Sequence, residues 1–128
     1  LQYLAQLPTQ TLGCGEIIST AGDMDLWMTA LRSGKVISAE SYREMTADHG
    51  SGDYREAYGY GVMPGIRGGV EHGGNIGSYA SMIYFNEEYD FNLYINTSSV
   101  TAYTMDSAQK CCTNFLRTLF QEVDRAEK

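Results

Sequence analysis

The sequence predicts an α+β fold in which two short helices precede an antiparallel sheet of about three to four strands, and a terminal helix packs on that sheet. Three observations predict this order. Apolar residues recur with a helical period in the two helices expected within residues 16–57, and with a period of two in residues 58–98. An amphipathic stretch follows in residues 104–124. We therefore interpret residues 1–128 as one domain that opens with a connecting segment, residues 1–15.

The composition excludes several classes of protein. Of 128 residues, 43% are hydrophobic and 20% are charged, which is typical of a folded globular domain. The formal net charge is −7, and the nine lysines and arginines are scattered, so we expect no nucleic-acid partner. No apolar run approaches the roughly 18 residues that a membrane span needs. The three cysteines, two of them adjacent, do not form a disulfide framework.

The first helix is predicted to begin at Ser19 or Thr20, because either hydroxyl can accept a hydrogen bond from a free backbone N–H of the first turn. Asp23 suits that turn electrostatically, and Gly34 is expected to end the helix. Four apolar residues have the i, i+3, i+4, i+7 spacing of one helical face: Met24, Trp27, Met28 and Leu31. We interpret all four as core residues.

A second, shorter helix is expected after Ser38, with Tyr42 and Met45 as its apolar positions. Residues 47–57, "ADHGSGDYREA", follow as a polar loop. We interpret His49 as an exposed residue of this loop. A metal site formed with His72 would need further ligands at a suitable spacing, and none is evident. We expect neither a metal nor another cofactor.

Glycines then separate four segments with strand-like patterns, "YGYGVM", "GGVEH", "SYASMIYF" and "FNLYIN". The third segment, residues 79–85, is apolar on both faces, which predicts a central strand that is covered on both sides. The loop "NEEYD" has the length of a hairpin connection. The fourth segment alternates and should have one apolar and one polar face, with Phe91, Leu93 and Ile95 opposite Asn92, Tyr94 and Asn96.

The terminal helix carries one apolar stripe, which we expect to pack on the sheet. The stripe consists of Ala108, Cys111, Cys112, Phe115, Leu116, Leu119 and Val123. Both cysteines of this helix are therefore interpreted as packing residues.

Three segments, in this order, resemble the C-terminal part of the β-lactamase-related serine hydrolases, which include class C β-lactamases, D-alanyl-D-alanine carboxypeptidases and esterases. They are the capped helix start "STAGD", the segment "YGYGV", and "HGGNIGSY" at residues 72–79. The resemblance covers about residues 13–120 and depends on the order and spacing of the segments. It implies an incomplete β-lactamase/transpeptidase-like fold.

Acyl transfer through serine requires a nucleophile beside a base, commonly Ser-x-x-Lys at the start of a helix. In this family it also requires a Tyr-x-Asn loop, and a strand that holds the substrate near an oxyanion N–H. The resemblance implies that His72 belongs to that strand and donates a hydrogen bond toward the substrate or the catalytic tyrosine. Gly73 and Gly74 would leave room for the substrate backbone. The N–H of Asn75 would be one oxyanion donor.

Two further matches are interpreted as accidental. Residues 107–110, "SAQK", have the form Ser-x-x-Lys, and residues 94–96, "YIN", have the form Tyr-x-Asn. In the family, Ser-x-x-Lys precedes Tyr-x-Asn, and His-x-Gly follows both. Here the order is reversed, which no circular permutation produces. Ser107 also belongs to the terminal helix, beside the stripe that is expected to face the sheet.

We therefore expect the nucleophile, its tyrosine partner and the first strands of the sheet to lie upstream of Leu1, in an N-terminal portion of the same protein that this chain lacks. The chain would be the C-terminal fragment of a serine hydrolase domain and would be inactive alone. The parent would act on a small-molecule or peptide substrate, such as a β-lactam, a D-alanyl peptide or an ester.

An alternative stays open, in which the chain is a noncatalytic module that binds a partner, or a second copy of itself as a homo-oligomer, through an open sheet edge next to the His72 strand. The compartment stays open as well. Members of this family often act outside the cytoplasm, whereas cysteines outside a disulfide framework favour a reducing setting.

Overall fold

The computed structural model describes residues 13–15, 17–50, 57–76, 79–98 and 104–128, without the side chains of Ile76, Ser98 and residues 104–108. The elements, in chain order, are α1 (Ala21–Arg32), α2 (Ala39–Thr46), β1 (Met63–Pro64), a 3-10 turn (Ile66–Gly68), β2 (Val70–Ile76), β3 (Tyr79–Asn86), β4 (Phe91–Ser98) and α3 (Thr104–Ala126). This order of helices and strands confirms the predicted α+β class.

Both short helices begin where their capping residues predict. Thr20 accepts a hydrogen bond from the backbone N–H of Asp23 at 3.1 Å, which satisfies one of the free donors at the start of α1. Ser38 caps α2 in the same way by accepting from the N–H of Ser41 at 3.1 Å. Gly34 follows the end of α1 with φ at +76°, a conformation that glycine adopts without steric cost.

The four strands form one antiparallel sheet in the order β1-β2-β3-β4. The strand β3 is central and pairs along its whole length, for example Met82 with Gly73 on one side and with Ile95 on the other. The pairing of β1 covers only Val70 and Glu71 of β2. The predicted central position of this strand is therefore confirmed.

Helices cover both faces of the sheet. On the face that we call the α3 face, one buried cluster joins the sheet to the terminal helix: Ala80, Met82, Tyr84, Cys112, Leu116 and Phe120. On the opposite face, the α1 face, Met28, Leu31 and Phe85 form a second cluster. The partly buried residues around this second cluster include Tyr42 and Met45 of α2. The sheet is thus the middle layer of the described domain.

The predicted sets of buried residues in α1 and α3 were partly wrong. Trp27 remains 49% exposed, because the side of α1 that packs is centred on Met28 and Leu31. In α3, Cys111 and Phe115 are exposed, although both were expected in the stripe. The buried residues instead recur every four positions, at Cys112, Leu116 and Phe120. The helix α3 therefore buries a narrower stripe than its apolar pattern suggests.

The first strand-like segment was also predicted wrongly. Of "YGYGVM", only Met63 belongs to a strand, β1, and Tyr60 and Gly61 form a bend instead. The second face of β4 is not simply a polar surface. Asn92 lies against α1 and donates to Asp25 Oδ1 at 2.7 Å and to Thr29 Oγ1 at 2.9 Å. Within the described ranges, no helix combines the length and the apolarity that crossing a membrane requires.

Candidate functional site

The four residues singled out in the sequence, 72–75, lie consecutively on β2 and alternate between the two faces of the sheet. His72 pairs with Ile83, which in turn pairs with Tyr94. Directly paired residues share a face, and Ile83 and Tyr94 pack against the cluster on the α1 face. His72 and Gly74 therefore lie on the α1 face, and Gly73 and Asn75 lie on the α3 face.

The accessibility of these residues changes along the strand. His72 and Gly73 are partly buried, whereas Gly74 and Asn75 are exposed. Around Gly74, no atom outside its chain neighbours lies within 4 Å of the position that a Cβ would occupy. The backbone can therefore be approached closely at this glycine, which is a common reason for glycine inside a strand.

The phenol of Tyr58 meets His72 at this strand. Its hydroxyl lies 3.2 Å from Nε2 of His72, and both residues are partly buried. Sequence reasoning missed Tyr58 as a site residue, because "YGYGV" was interpreted only as a strand. The signal that could have found it is the position of that segment in the resemblance, immediately before the histidine strand.

A side-chain carboxylate holds the backbone of Tyr58. Asp48 Oδ1 accepts hydrogen bonds from the N–H groups of Tyr58 at 3.1 Å and of Gly50 at 2.8 Å. The backbone hydrogen bonds of Gly50 and Tyr58 lower the pKa of Asp48, so the group is a carboxylate at neutral pH.

The next two residues dock on the end of α2. The N–H of Tyr60 donates to the carbonyl oxygen of Met45 at 2.8 Å. A Cβ on Gly59 would overlap that same oxygen, so only glycine allows the segment to lie this close to α2. The placement of Tyr58 beside the sheet therefore depends on the end of α2.

The two additional motif matches lie elsewhere. Tyr94 shares the α1 face with His72, but it lies two strands away, about 10 Å at the usual strand spacing. It packs against the cluster on that face and accepts a hydrogen bond from Asn96 Nδ2 at 3.2 Å. Ser107 belongs to the first turn of α3, and its side chain lies outside the described part of the structure. The helix α3 packs on the face opposite His72, and Lys110 is exposed.

The second histidine, His49, is separate from this arrangement. Its ring stacks on Tyr60 with ring centroids 4.3 Å apart, and its Nε2 lies 2.8 Å from the carbonyl oxygen of Glu44. Among the residues whose positions the structure describes, no group of three or more His, Cys, Asp and Glu side chains could hold a metal ion.

The sequence profile of one protein family, described as Beta-lactamase, matches residues 2–109. This range includes both short helices, all four strands and the start of α3. No curated protein and no solved structure matches the chain.

Proposed function

Because this chain belongs to the beta-lactamase family, we propose that it forms one wall of the acyl-transfer site of a serine hydrolase. One observation carries the proposal: His72, Gly73 and Gly74 follow one another on β2 just beyond the residues that β1 covers, and the space over Gly74 is open. A peptide-like substrate could lie along the strand there without meeting a side chain.

The four residues have distinct roles in this proposal. His72 donates a hydrogen bond toward the substrate or toward a catalytic tyrosine. Gly73 and Gly74 provide clearance for the substrate backbone. The backbone N–H of Asn75 stabilises the oxyanion of the tetrahedral intermediate, where a well-placed donor contributes a factor of about 10²–10³ to the rate.

We propose that the nucleophile lies outside residues 1–128, in an N-terminal portion of the same protein. The only Ser-x-x-Lys match in these residues is at 107–110. Its helix packs on the face of the sheet opposite His72, which makes Ser107 a poor candidate. Tyr94 is a poor candidate for the tyrosine partner, because it packs in the cluster on the α1 face. The 128 residues alone should therefore not turn over substrate.

The substrate would contain an acyl group that serine can take over, as in a β-lactam, a D-alanyl peptide or a small ester. These share a carbonyl carbon that the serine hydroxyl attacks, with cleavage of its bond to an amide nitrogen or an ester oxygen, which takes up a proton. The full-length protein should hydrolyse at least one of three probes: a chromogenic cephalosporin, a D-alanyl-D-alanine peptide or a p-nitrophenyl ester.

The decisive comparison uses both histidines of the chain. The substitution His72→Ala should lower kcat/KM of the full-length protein by about a hundredfold, the loss typical of one transition-state donor. The matched control is His49→Gln, because the ring of His49 contacts Tyr60 and Glu44 and lies apart from His72. It should leave kcat/KM within about twofold of the parent value. Equal effects of the two substitutions would contradict the role of His72.

A second candidate function is self-association through the sheet edge. The edge next to the His72 strand is partly covered, because β1 pairs with Val70 and Glu71. The other edge is β4, which pairs with β3 alone within the part of the chain that the structure describes. Exposed edges of this kind can pair with a second copy of the chain. Light scattering over a range of concentrations tests this, with Asn96→Lys placing a charge on the edge. A monomer at every concentration would reject self-association.

A further inference from the structure

The contact between Tyr58 and His72 is separate from the roles proposed for residues 72–75. It joins two segments 14 residues apart, and the hydroxyl of Tyr58 lies 3.2 Å from Nε2 of His72. Which ring nitrogen of a histidine carries the proton depends on the hydrogen bonds that the nitrogens make. A phenol at Nε2 therefore acts on both the orientation and the tautomer of the ring.

The phenol is held from its backbone rather than by chance side-chain packing. The N–H of Tyr58 donates to Asp48 Oδ1 at 3.1 Å, and the next residue, Gly59, lies against the carbonyl oxygen of Met45. The N–H of Gly50 also donates to Asp48 Oδ1, at 2.8 Å, which fixes the position of the carboxylate. The end of α2, Asp48 and Tyr58 thus form a continuous support that ends at His72.

We propose that Tyr58 is a positioning residue that sets the orientation and tautomer of His72, and that Asp48 acts through Tyr58. The effect of Tyr58 on turnover rests on the proposed function. The orientation of His72 matters for turnover only if His72 faces a substrate or a catalytic tyrosine. A donor held within a narrow range of angles loses little free energy to reorientation when the transition state forms.

A purely structural role for Tyr58 gives different expectations. If the ring of Tyr58 only filled space, removal of its hydroxyl would leave the tautomer of His72 as it was. If the hydroxyl positions His72, its removal changes the ratio of the Nδ1–H and Nε2–H forms even when stability is unchanged. The tautomer is therefore the readout that separates the two roles.

The experiment is long-range nitrogen NMR of the histidine rings in the full-length protein, with ¹⁵N-labelled histidine and His72→Gln to assign the signals. The substitution Tyr58→Phe should change the tautomer ratio of His72. The matched control is Tyr60→Phe, because the ring of Tyr60 stacks on His49, and it should leave the signals of His72 in place. Unchanged His72 signals in Tyr58→Phe would overturn the proposal.

Two substitutions at Asp48 test the indirect step. Asp48→Asn keeps a side-chain oxygen that can accept the N–H groups of Tyr58 and Gly50, whereas Asp48→Ala removes it. We expect Asp48→Ala to shift the His72 signals in the same direction as Tyr58→Phe, and Asp48→Asn to preserve them. Identical His72 signals in Asp48→Ala and the parent would overturn the part of the proposal that concerns Asp48.

Kinetics of the same variants link the positioning to turnover. Tyr58→Phe should lower kcat by about ten- to hundredfold with KM within about twofold, because a misplaced donor weakens the transition state more than ground-state binding. A full-length protein that hydrolyses none of the three probes would end the proposed function, while the NMR result would still decide whether Tyr58 sets His72. A loss confined to KM would contradict a positioning role.

Discussion

The side-chain amide of Asn86 donates a hydrogen bond to the hydroxyl of Tyr84 at 3.0 Å, and both residues are almost completely buried. The same amide donates to the carbonyl oxygen of Arg67 at 2.9 Å, and the Tyr84 hydroxyl donates to that of Ile66 at 2.8 Å. Two carbonyls of the 3-10 turn therefore find donors at the end of β3. This network fixes the connection between β1 and β2, immediately before the histidine strand.

We expect Tyr84→Phe to lower the free energy of unfolding by about 1–3 kcal/mol, because at a fully buried residue it removes both the donor to the carbonyl oxygen of Ile66 and the acceptor of the Asn86 amide. Urea denaturation measures the change as a lower midpoint at constant slope. Tyr79→Phe is the matched control, since Tyr79 is 47% exposed, and it should shift the free energy by less than about 0.5 kcal/mol. Equal shifts in the two variants would show that the buried network contributes nothing.

Gly59 and Gly74 should respond to alanine in opposite ways. A Cβ on Gly59 would overlap the carbonyl oxygen of Met45, so Gly59→Ala should destabilise the fold by about 1–3 kcal/mol. A Cβ on Gly74 would enter open space, so Gly74→Ala should retain stability and lower kcat/KM of the full-length protein by obstructing the substrate. Thermal unfolding and turnover of both variants test this. Full activity in Gly74→Ala would contradict the clearance role.

The adjacent cysteines of α3 should differ sharply toward thiol reagents. Cys111 is exposed, whereas Cys112 is buried, and burial raises the pKa of the Cys112 thiol to about 11. Because the thiolate is the reactive form, Cys112 should stay unlabelled in the folded protein at pH 8 while Cys111 reacts. Mass spectrometry of peptides after alkylation, with and without urea, measures the two sites. Rapid labelling of Cys112 without urea would disprove the packing in that cluster.

The same burial predicts a loss of stability in alkaline solution. The pKa of Cys112 is raised in the folded state from about 9.0 to about 11, so the neutral thiol is favoured by folding. Its contribution is complete below about pH 9 and is lost as the pH rises toward about 11. Unfolding free energies across this range should fall less steeply in Cys112→Ala than in the parent. Parallel pH profiles of the two proteins would exclude this contribution.

Local signals in the sequence predicted much of the fold. Each of these signals favours one backbone conformation over a few consecutive residues. They are the caps at Thr20 and Ser38, the apolar third segment and the loop of hairpin length. Such preferences need no knowledge of distant contacts, because the hydrogen bonds that express them close within one turn. The segment "GGVEH" was predicted as a strand in the same way, whereas the placement of Gly73, Gly74 and Asn75 on that strand came from the resemblance.

What the sequence did not predict depends on contacts between distant segments. The exposure of Trp27 and the burial of Phe120 depend on which side of each helix meets the sheet, and helical periodicity does not fix this. The segment of Tyr58 reads as a strand because its glycines and apolar residues alternate. Its true position is set by Asp48 and by the end of α2, ten or more residues earlier in the chain.

The central claim is that this chain provides a wall of a serine hydrolase site and not its nucleophile. The most direct measurement is peptide mapping of the full-length protein after reaction with a fluorophosphonate, which labels the attacking serine. We predict one modified serine outside residues 1–128, at the first position of a Ser-x-x-Lys sequence. Modification of Ser107, or a full-length protein with no modified serine, would contradict the claim.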